Sequence, residues 1–330
     1  MAKVIIGIHG LSNKPKKELL EKWWKQSIIE GLINNYGDDL DDIKFELVYW
    51  ADVLYENPLD EDVTDVNHPL FLDEPYTKGF SRRKYSVKEK RKKVNKSILK
   101  FFSHFLLSKD LTINYSYFTD VIVHRYYKDL EAYYYKKKDV GNEALYIKDL
   151  IRKRLIRVLK KHKKDEIFLL AHSMGSIIAL DVLYSFEKEF SIHTLVTLGS
   201  PLAFPVVIGK MAEEIKARHP DLIKLKTPES IKSNWFNFSD IEDKVAIYYQ
   251  LSDDFDENSA GVRVVDFEVY NDYRINKQSN PHKSFGYLRT EEIAKVIFEF
   301  VAGGKPILKK RLRFRFLRFL IDIRIKTNKK

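Results

Sequence analysis

Ile167-Phe-Leu-Leu-Ala-His-Ser173-Met-Gly175-Ser-Ile-Ile-Ala-Leu180 is the stretch on which the fold of this 330-residue chain turns. A short apolar run with the character of a buried strand stops at His172-Ser173-Met174-Gly175, and an apolar run of helical character follows at once. This is the sequence form of a nucleophile elbow, a sharp strand-to-helix turn that holds a serine hydroxyl at its tip. The chains entering and leaving such a turn nearly touch, so small residues must flank the serine. Ala171 and Gly175 meet that need, although glycine is the usual residue at the first position. Read by itself, the same string also fits an ordinary tight turn with a capping serine.

Outward from the elbow, apolar runs alternate between strand and helix character. Lys3 to Ile8 reads as a first strand ending in His9-Gly10-Leu11-Ser12-Asn13. Pro15 to Leu32 reads as a helix, with Leu19, Leu20, Trp23, Trp24, Ile28 and Leu32 near helical spacing. Lys44 to Tyr49 alternates as a second strand. Downstream, Asn142 to His162 reads as a basic amphipathic helix, Thr194 to Leu198 and Trp235 to Phe238 as strands, Val262 to Val269 as a late strand, and Glu291 to Phe300 as a final helix. This alternation predicts an α/β fold: a mostly parallel sheet with helices on both faces. In such sheets the reactive residues sit at the carboxyl ends of strands.

Residues from about 55 to 140 interrupt the pattern. The stretch opens acidic, with Pro58, Pro69 and Pro75, becomes basic, and then turns aromatic; 11 of the 44 aromatic residues lie between Phe101 and Tyr135. Ile98, Leu99, Phe101, Phe102, Phe105 and Leu106 form one potential helix face, and Val121, Tyr127, Leu130 and Tyr134 another. An insertion of this kind between core elements is expected to be a helical cap over an active site. The expected organisation is one domain over 1–304 carrying this insertion, followed by a tail at 305–330.

A serine hydroxyl is a poor nucleophile at neutral pH. It needs a base within hydrogen-bond reach, and the base needs an orienting acid. On this fold the acid and the histidine follow the serine in that order. Trp235-Phe-Asn-Phe-Ser-Asp240-Ile-Glu-Asp243-Lys-Val245 places two acids just past a strand. Asn280-Pro-His282-Lys-Ser-Phe-Gly-Tyr287 places a histidine in a turn before the last helix.

Taken together, Ile8-His9-Gly10-Leu11, Ala171-His-Ser173-Met-Gly175, Thr197-Leu-Gly-Ser-Pro201, Asp243-Lys-Val245 and Pro281-His282 with Tyr287 resemble the α/β-hydrolase family in its lipase and esterase branch. The resemblance runs from about residue 3 to 300, the insertion excluded. It implies that Ser173 attacks a carbonyl carbon, that His282 takes and returns its proton, and that Asp243 orients the histidine. That branch places its acid in an Asp-x-Val string, which favours Asp243; Asp240, three residues earlier, stays as the rival acid. The resemblance also implies an oxyanion hole made from the backbone amides of Met174 and of Leu11 or Gly10. His9 is read as shaping the oxyanion loop and His172 as pointing away from the pocket. His104, His124, His162 and His193 are read as structural.

Composition narrows the chemistry. There is no cysteine, which excludes disulfides and a cysteine nucleophile and fits a reducing, cytoplasmic compartment. No His-Glu-x-x-His string or phosphate-binding glycine loop occurs, so neither a metal nor another cofactor is expected. The apolar run at the amino terminus is too short for a secretory signal, and no stretch is long and apolar enough to span a bilayer.

The net charge of +11 is concentrated in two places. Residues 78–100 and 305–330 each hold 11 Lys or Arg against a single acid, Glu89 and Asp322, so the rest of the chain is net negative. The tail mixes arginines with large apolar residues, and a helix there would align Leu312, Phe316, Phe319 and Ile323. Such a segment suits an anionic membrane surface, peripheral and on the inner side; the plainer reading is that its apolar side packs on the body, or forms strands, with the arginines solvated. No nucleic-acid partner is expected, because the basic residues join no recognition module. The function expected is hydrolysis of carboxylic esters with lipid-like or apolar acyl groups. An acyltransferase with the same three residues, and a scaffold that keeps only the fold, are the alternatives.

Overall fold

The computed structural model describes residues 1–37, 43–79, 121–216, 225–246 and 250–303. The helix face expected at Ile98–Leu106 and the tail at 305–330 lie outside them. Two compact units divide after Ala294. The first, Met1–Ala294, is the body described below. Of the second, the described part is the end of the last helix, which spans Glu291–Ala302.

In chain order the body holds β1 (Lys3–Ile8), α1 (Lys17–Tyr36), β2 (Phe45–Val48), α2 (Ala51–Leu54), α3 (Val121–Tyr135), β3 (Lys137–Val140), β4 (Glu143–Tyr146) and α4 (Ile147–Lys161). There follow β5 (Glu166–His172), α5 (Met174–Ser185), β6 (Ile192–Leu198), α6 (Pro205–Lys216), β7 (Leu225–Lys226), β8 (Ile231–Asp240), β9 (Phe255–Asp256), β10 (Val264–Val269), β11 (Arg274–Ile275), β12 (Gln278–Ser279) and α7 (Ser284–Leu288). Six strands form one sheet in the order β10-β8-β6-β5-β1-β2, and every pairing in it is parallel.

The central strands show why a parallel sheet forms. β5 is buried from Ile167 onward, as a strand covered on both faces must be, and it reads as a nearly unbroken apolar run. Val4, Ile6 and Ile8 of β1 join Ile167, Leu169 and Ala171 of β5 in one core with Tyr133, Ile151, Leu155 and Ile178 from α3, α4 and α5. The alternate residues face the other way. There Gly7 lies so close beneath Trp24 of α1 that a Cβ on it would come within 2.9 Å of the indole ring. Helices therefore cover both faces, as the alternation predicts. α5 is buried all round from Met174 to Leu183, which explains its lack of a polar stripe. α1 ends at Gly37, whose left-handed backbone (φ 67°) lets its N–H return to the Ile33 carbonyl.

One element departs from the sequence reading. Residues 143–146, expected in a helix beginning at Asn142, form β4 of a hairpin with β3, and α4 starts only at Ile147. Gly141 decides this: it sits at φ 64° in the two-residue turn Gly141-Asn142, a conformation that suits a hairpin and breaks a helix.

Strand order sets the place of the site. From β1 the chain moves outward to β2, and from β5 it moves outward in the opposite direction through β6, β8 and β10. β1 and β5 are adjacent, so the loops leaving their carboxyl ends diverge there and open a crevice. Ser173 follows β5 and His9–Asn13 follows β1.

Candidate active site

Ser173 lies at the junction of β5 and α5 with φ 55° and ψ −127°, a conformation that a residue with a Cβ adopts only under constraint. The constraint is visible around it. Gly175 packs against the end of β1, where a Cβ would fall 2.6 Å from the Ile8 carbonyl oxygen and 2.8 Å from that of His9. Gly10 crosses directly over the serine, and a Cβ there would fall 2.7 Å from the Ser173 Cβ. The Ser173 N–H donates to the Leu198 carbonyl at the end of β6 (2.9 Å).

Ser173 Oγ is 3.0 Å from His282 Nε2. His282 Nδ1 is 2.9 and 3.0 Å from the two carboxylate oxygens of Asp243. Ser173 and Asp243 are both almost wholly buried, while the imidazole keeps a partly exposed edge. Asp243 also accepts the Tyr287 hydroxyl (2.7 Å) and the Val245 N–H (2.9 Å). Gly199, at φ 52°, lies behind the pair; a Cβ on it would meet Asp243 Oδ2 at 2.7 Å and His282 Nδ1 at 3.2 Å. That accounts for the glycine in Thr197-Leu-Gly-Ser-Pro201.

Asp240 occupies a different place. Its carboxylate accepts the N–H groups of Glu242 (2.8 Å) and Asn271 (2.6 Å), and its own N–H donates to the Tyr287 hydroxyl (2.8 Å). Burial, aided by the Glu242 and Asp243 charges, raises its pKa to about 6 against the pull of those two backbone bonds. Of the two acids, Asp243 is the one beside the histidine, and Asp240 caps the loop that carries it.

The histidine loop is held from several sides. Asn271 Nδ2 donates to the carbonyls of Pro281 and Lys283, both at 2.8 Å. The His282 N–H donates to Asn280 Oδ1 (3.0 Å). Glu74, from the segment after α2, accepts both Asn280 Nδ2 and Lys283 Nζ. Burial would push the Glu74 carboxyl up, but the Lys283 charge and those two bonds hold it below the usual carboxylate range. His172, expected to point away, lies beside His282 instead: its Nε2–H donates to the His282 carbonyl (2.7 Å), and the two rings are 4.9 Å apart. Burial, then the charge of His282, depresses its pKa well below the ordinary value, so it serves as a neutral prop.

The loop after β1 is equally fixed. The His9 ring stacks on Trp50 (4.8 Å) and is wholly buried. Its Nδ1–H donates to the Gly10 carbonyl (2.7 Å) and its Nε2 accepts the Trp50 N–H (3.1 Å). Burial and the Lys14 charge lower its pKa to about 3, so it is neutral and shapes the loop. Met174 is the first residue of α5, where backbone N–H groups lack partners inside the helix. Met174, Gly10 and Leu11 thus lie on the two backbone segments that border the serine. Such an arrangement can present amide donors to charge that develops on an oxygen.

A family model, the PGAP1-like alpha/beta domain, matches residues 85–256, just over half of the chain. The chain belongs to the PGAP1-like alpha/beta domain family. This family is part of the α/β-hydrolase superfamily, consistent with a lipase- or esterase-like hydrolase. The PGAP1-like match includes Ser173 and Asp243 and ends before His282; the loop after β1 lies upstream of it. No curated protein matches the chain. Among solved structures, the 2.75 Å crystal structure of an uncharacterized protein from Bacillus cereus ATCC 10987 is similar at 11% identity and a TM-score of 0.32. The alignment covers 91% of this chain and 59% of that one.

Asn271, Glu74, Tyr55 and Asp129 escaped the sequence reading. Each acts through bonds to residues ten or more positions away, and no local string marks them. Among the described residues no cluster of His, Cys, Asp and Glu could hold a metal ion, and no helix is long and apolar enough to cross a membrane.

Proposed function

We propose that this protein hydrolyses carboxylic esters with apolar, lipid-like acyl groups through a Ser173–His282–Asp243 triad. The observation that carries the reading is the hydrogen-bonded line from Asp243 through His282 to Ser173 at the tip of a constrained strand-end turn. His282 Nε2 accepts the Ser173 proton as Oγ attacks the acyl carbon. The negative charge then on the former carbonyl oxygen meets the amides of Met174 and Leu11 or Gly10. The ester C–O bond breaks, His282 protonates the departing alcohol, and an acyl-serine remains. Water, deprotonated by His282, attacks that acyl group, releasing the carboxylic acid and restoring the serine. Asp243 keeps the imidazole in the tautomer with Nδ1–H, so that Nε2 is free to take the proton. The aromatic residues gathered between 101 and 135 support an apolar acyl group.

The test is labelling by a fluorophosphonate, which phosphonylates an activated serine. We expect stoichiometric modification of the wild type at Ser173 and none in Ser173→Ala. A folded wild type that stays unlabelled would remove the hydrolase reading.

A further inference from the structure

The peptide plane joining Leu11 to Ser12 is gripped at both edges by opposite charges. On one edge, Lys14 Nζ donates to the Leu11 carbonyl, and it also lies 3.2 Å from the Ser12 carbonyl oxygen. On the other edge, the Ser12 N–H donates to Asp129 Oδ2 at 2.7 Å. Asp129 comes from α3, more than a hundred residues away in the chain. It is only 4% exposed, and its second oxygen accepts the Tyr55 hydroxyl (2.8 Å). Ser12 itself sits at φ 71°, a left-handed conformation that a serine does not hold without support.

The preceding plane depends on this one. The Gly10 carbonyl is taken by the His9 ring, and in a trans peptide the N–H of the next residue points the opposite way. Leu11 N–H is therefore directed away from the His9 ring. Its direction is set on one side by His9 and Trp50, and on the other by the torsions that Lys14 and Asp129 hold at Leu11 and Ser12. With either of these bonds removed, Ser12 can relax out of its left-handed state, and the Leu11 amide turns with it.

We propose that Lys14 and Asp129 are positioning residues, an ionic clamp on the Leu11–Ser12 peptide that aims the Leu11 amide at the oxyanion. This rests on the hydrolase reading above and names what makes its oxyanion loop competent. Neither residue touches the reacting atoms. Asp129 also ties the loop to α3, the helix that ends the aromatic stretch.

Two measurements test it. The first is residue-resolved amide hydrogen exchange, which needs no activity. Asp129→Ala should speed exchange at the Ser12 amide by about 100-fold or more, because a buried charge-assisted bond is lost. The second is the rate of ester turnover and of phosphonylation. Asp129→Ala and Lys14→Met should each lower kcat by about 100-fold with KM within about threefold, the size of losing one oxyanion donor. Asp129→Asn keeps an acceptor for Ser12 and should recover most of that loss, and it covers the case in which the alanine variant does not fold. Tyr133→Phe removes another buried tyrosine–carboxylate bond, to Asp181, and should leave kcat unchanged. Unaltered Ser12 exchange in Asp129→Ala overturns the clamp. So does a kcat within about threefold of wild type, or a loss carried by KM. Failure of the wild type to react with the fluorophosphonate would instead sink the hydrolase reading, and the exchange result would still decide whether the clamp exists.

Discussion

Replacing Asp243 by asparagine exchanges one carboxylate oxygen for an amino group at a point where three donors converge. Val245 N–H approaches Oδ1, the Tyr287 hydroxyl approaches Oδ2, and His282 Nδ1 lies within 3.0 Å of both oxygens. The amide oxygen keeps the Val245 bond, which leaves the amino group facing the imidazole. His282 then accepts at Nδ1 and carries its proton on Nε2, pointing at Ser173. In that tautomer it cannot take the serine proton. The same exchange in a serine-protease triad costs about 10⁴-fold in kcat, which is about 5 kcal/mol of barrier. We expect a loss of that order in ester turnover for Asp243→Asn, with Ser173 still present and the fold retained by circular dichroism. Asp240→Asn is the companion. Its carboxylate caps backbone amides and makes no bond to His282, so stability should fall while kcat stays within about tenfold of wild type. Asp243→Asn retaining more than about 1% of wild-type kcat, or Asp240→Asn losing as much as Asp243→Asn, would refute the tautomer argument.

Two further outcomes follow from the same geometry. Gly175→Ala drives a methyl into the carbonyls of Ile8 and His9, and such overpacking costs about 1–3 kcal/mol, offset by about 1 kcal/mol of helix propensity. We expect a lower thermal midpoint and slower phosphonylation, because the elbow must retreat from the end of β1 and the loop after it; an unchanged midpoint and rate would contradict the packing. Acid should also weaken the fold through His9. Its folded pKa of about 3 lies below the ordinary 6.5, so the stability from the neutral ring is complete above pH 6.5 and is lost as pH falls toward 3. At pH 5 the loss from this group is about 2 kcal/mol. Urea unfolding at pH 7 and pH 5 should show a smaller pH-dependent drop in His9→Asn than in wild type, and equal drops would reject the assignment.

Local order in the chain carried a large part of this fold. Strand and helix runs and the small residues around Ser173 are features of neighbouring residues, governed by sterics and periodicity, and they are readable without coordinates; the succession of Ser173, Asp243 and His282 is readable only through the resemblance of the motifs that carry them. The order β10-β8-β6-β5-β1-β2 was not readable in this way, because strand pairing joins segments that are distant in sequence. The Asp-x-Val string favours Asp243 over Asp240, but their bonds separate only when His282, Tyr287 and Asn271, from beyond β10, come to rest against the same loop. The hairpin at 137–146 was legible through Gly141-Asn142, yet the helical period of the residues that follow masked it. No local mark shows what His172, Asp129 and Glu74 do. The role of each depends on hydrogen bonds to backbone or side-chain groups 100 or more positions away, and only the packed chain brings those atoms together. Short-range sterics write the elements into the sequence; partnerships between buried polar groups are written by the enclosure that brings distant donors and acceptors together and shuts out water.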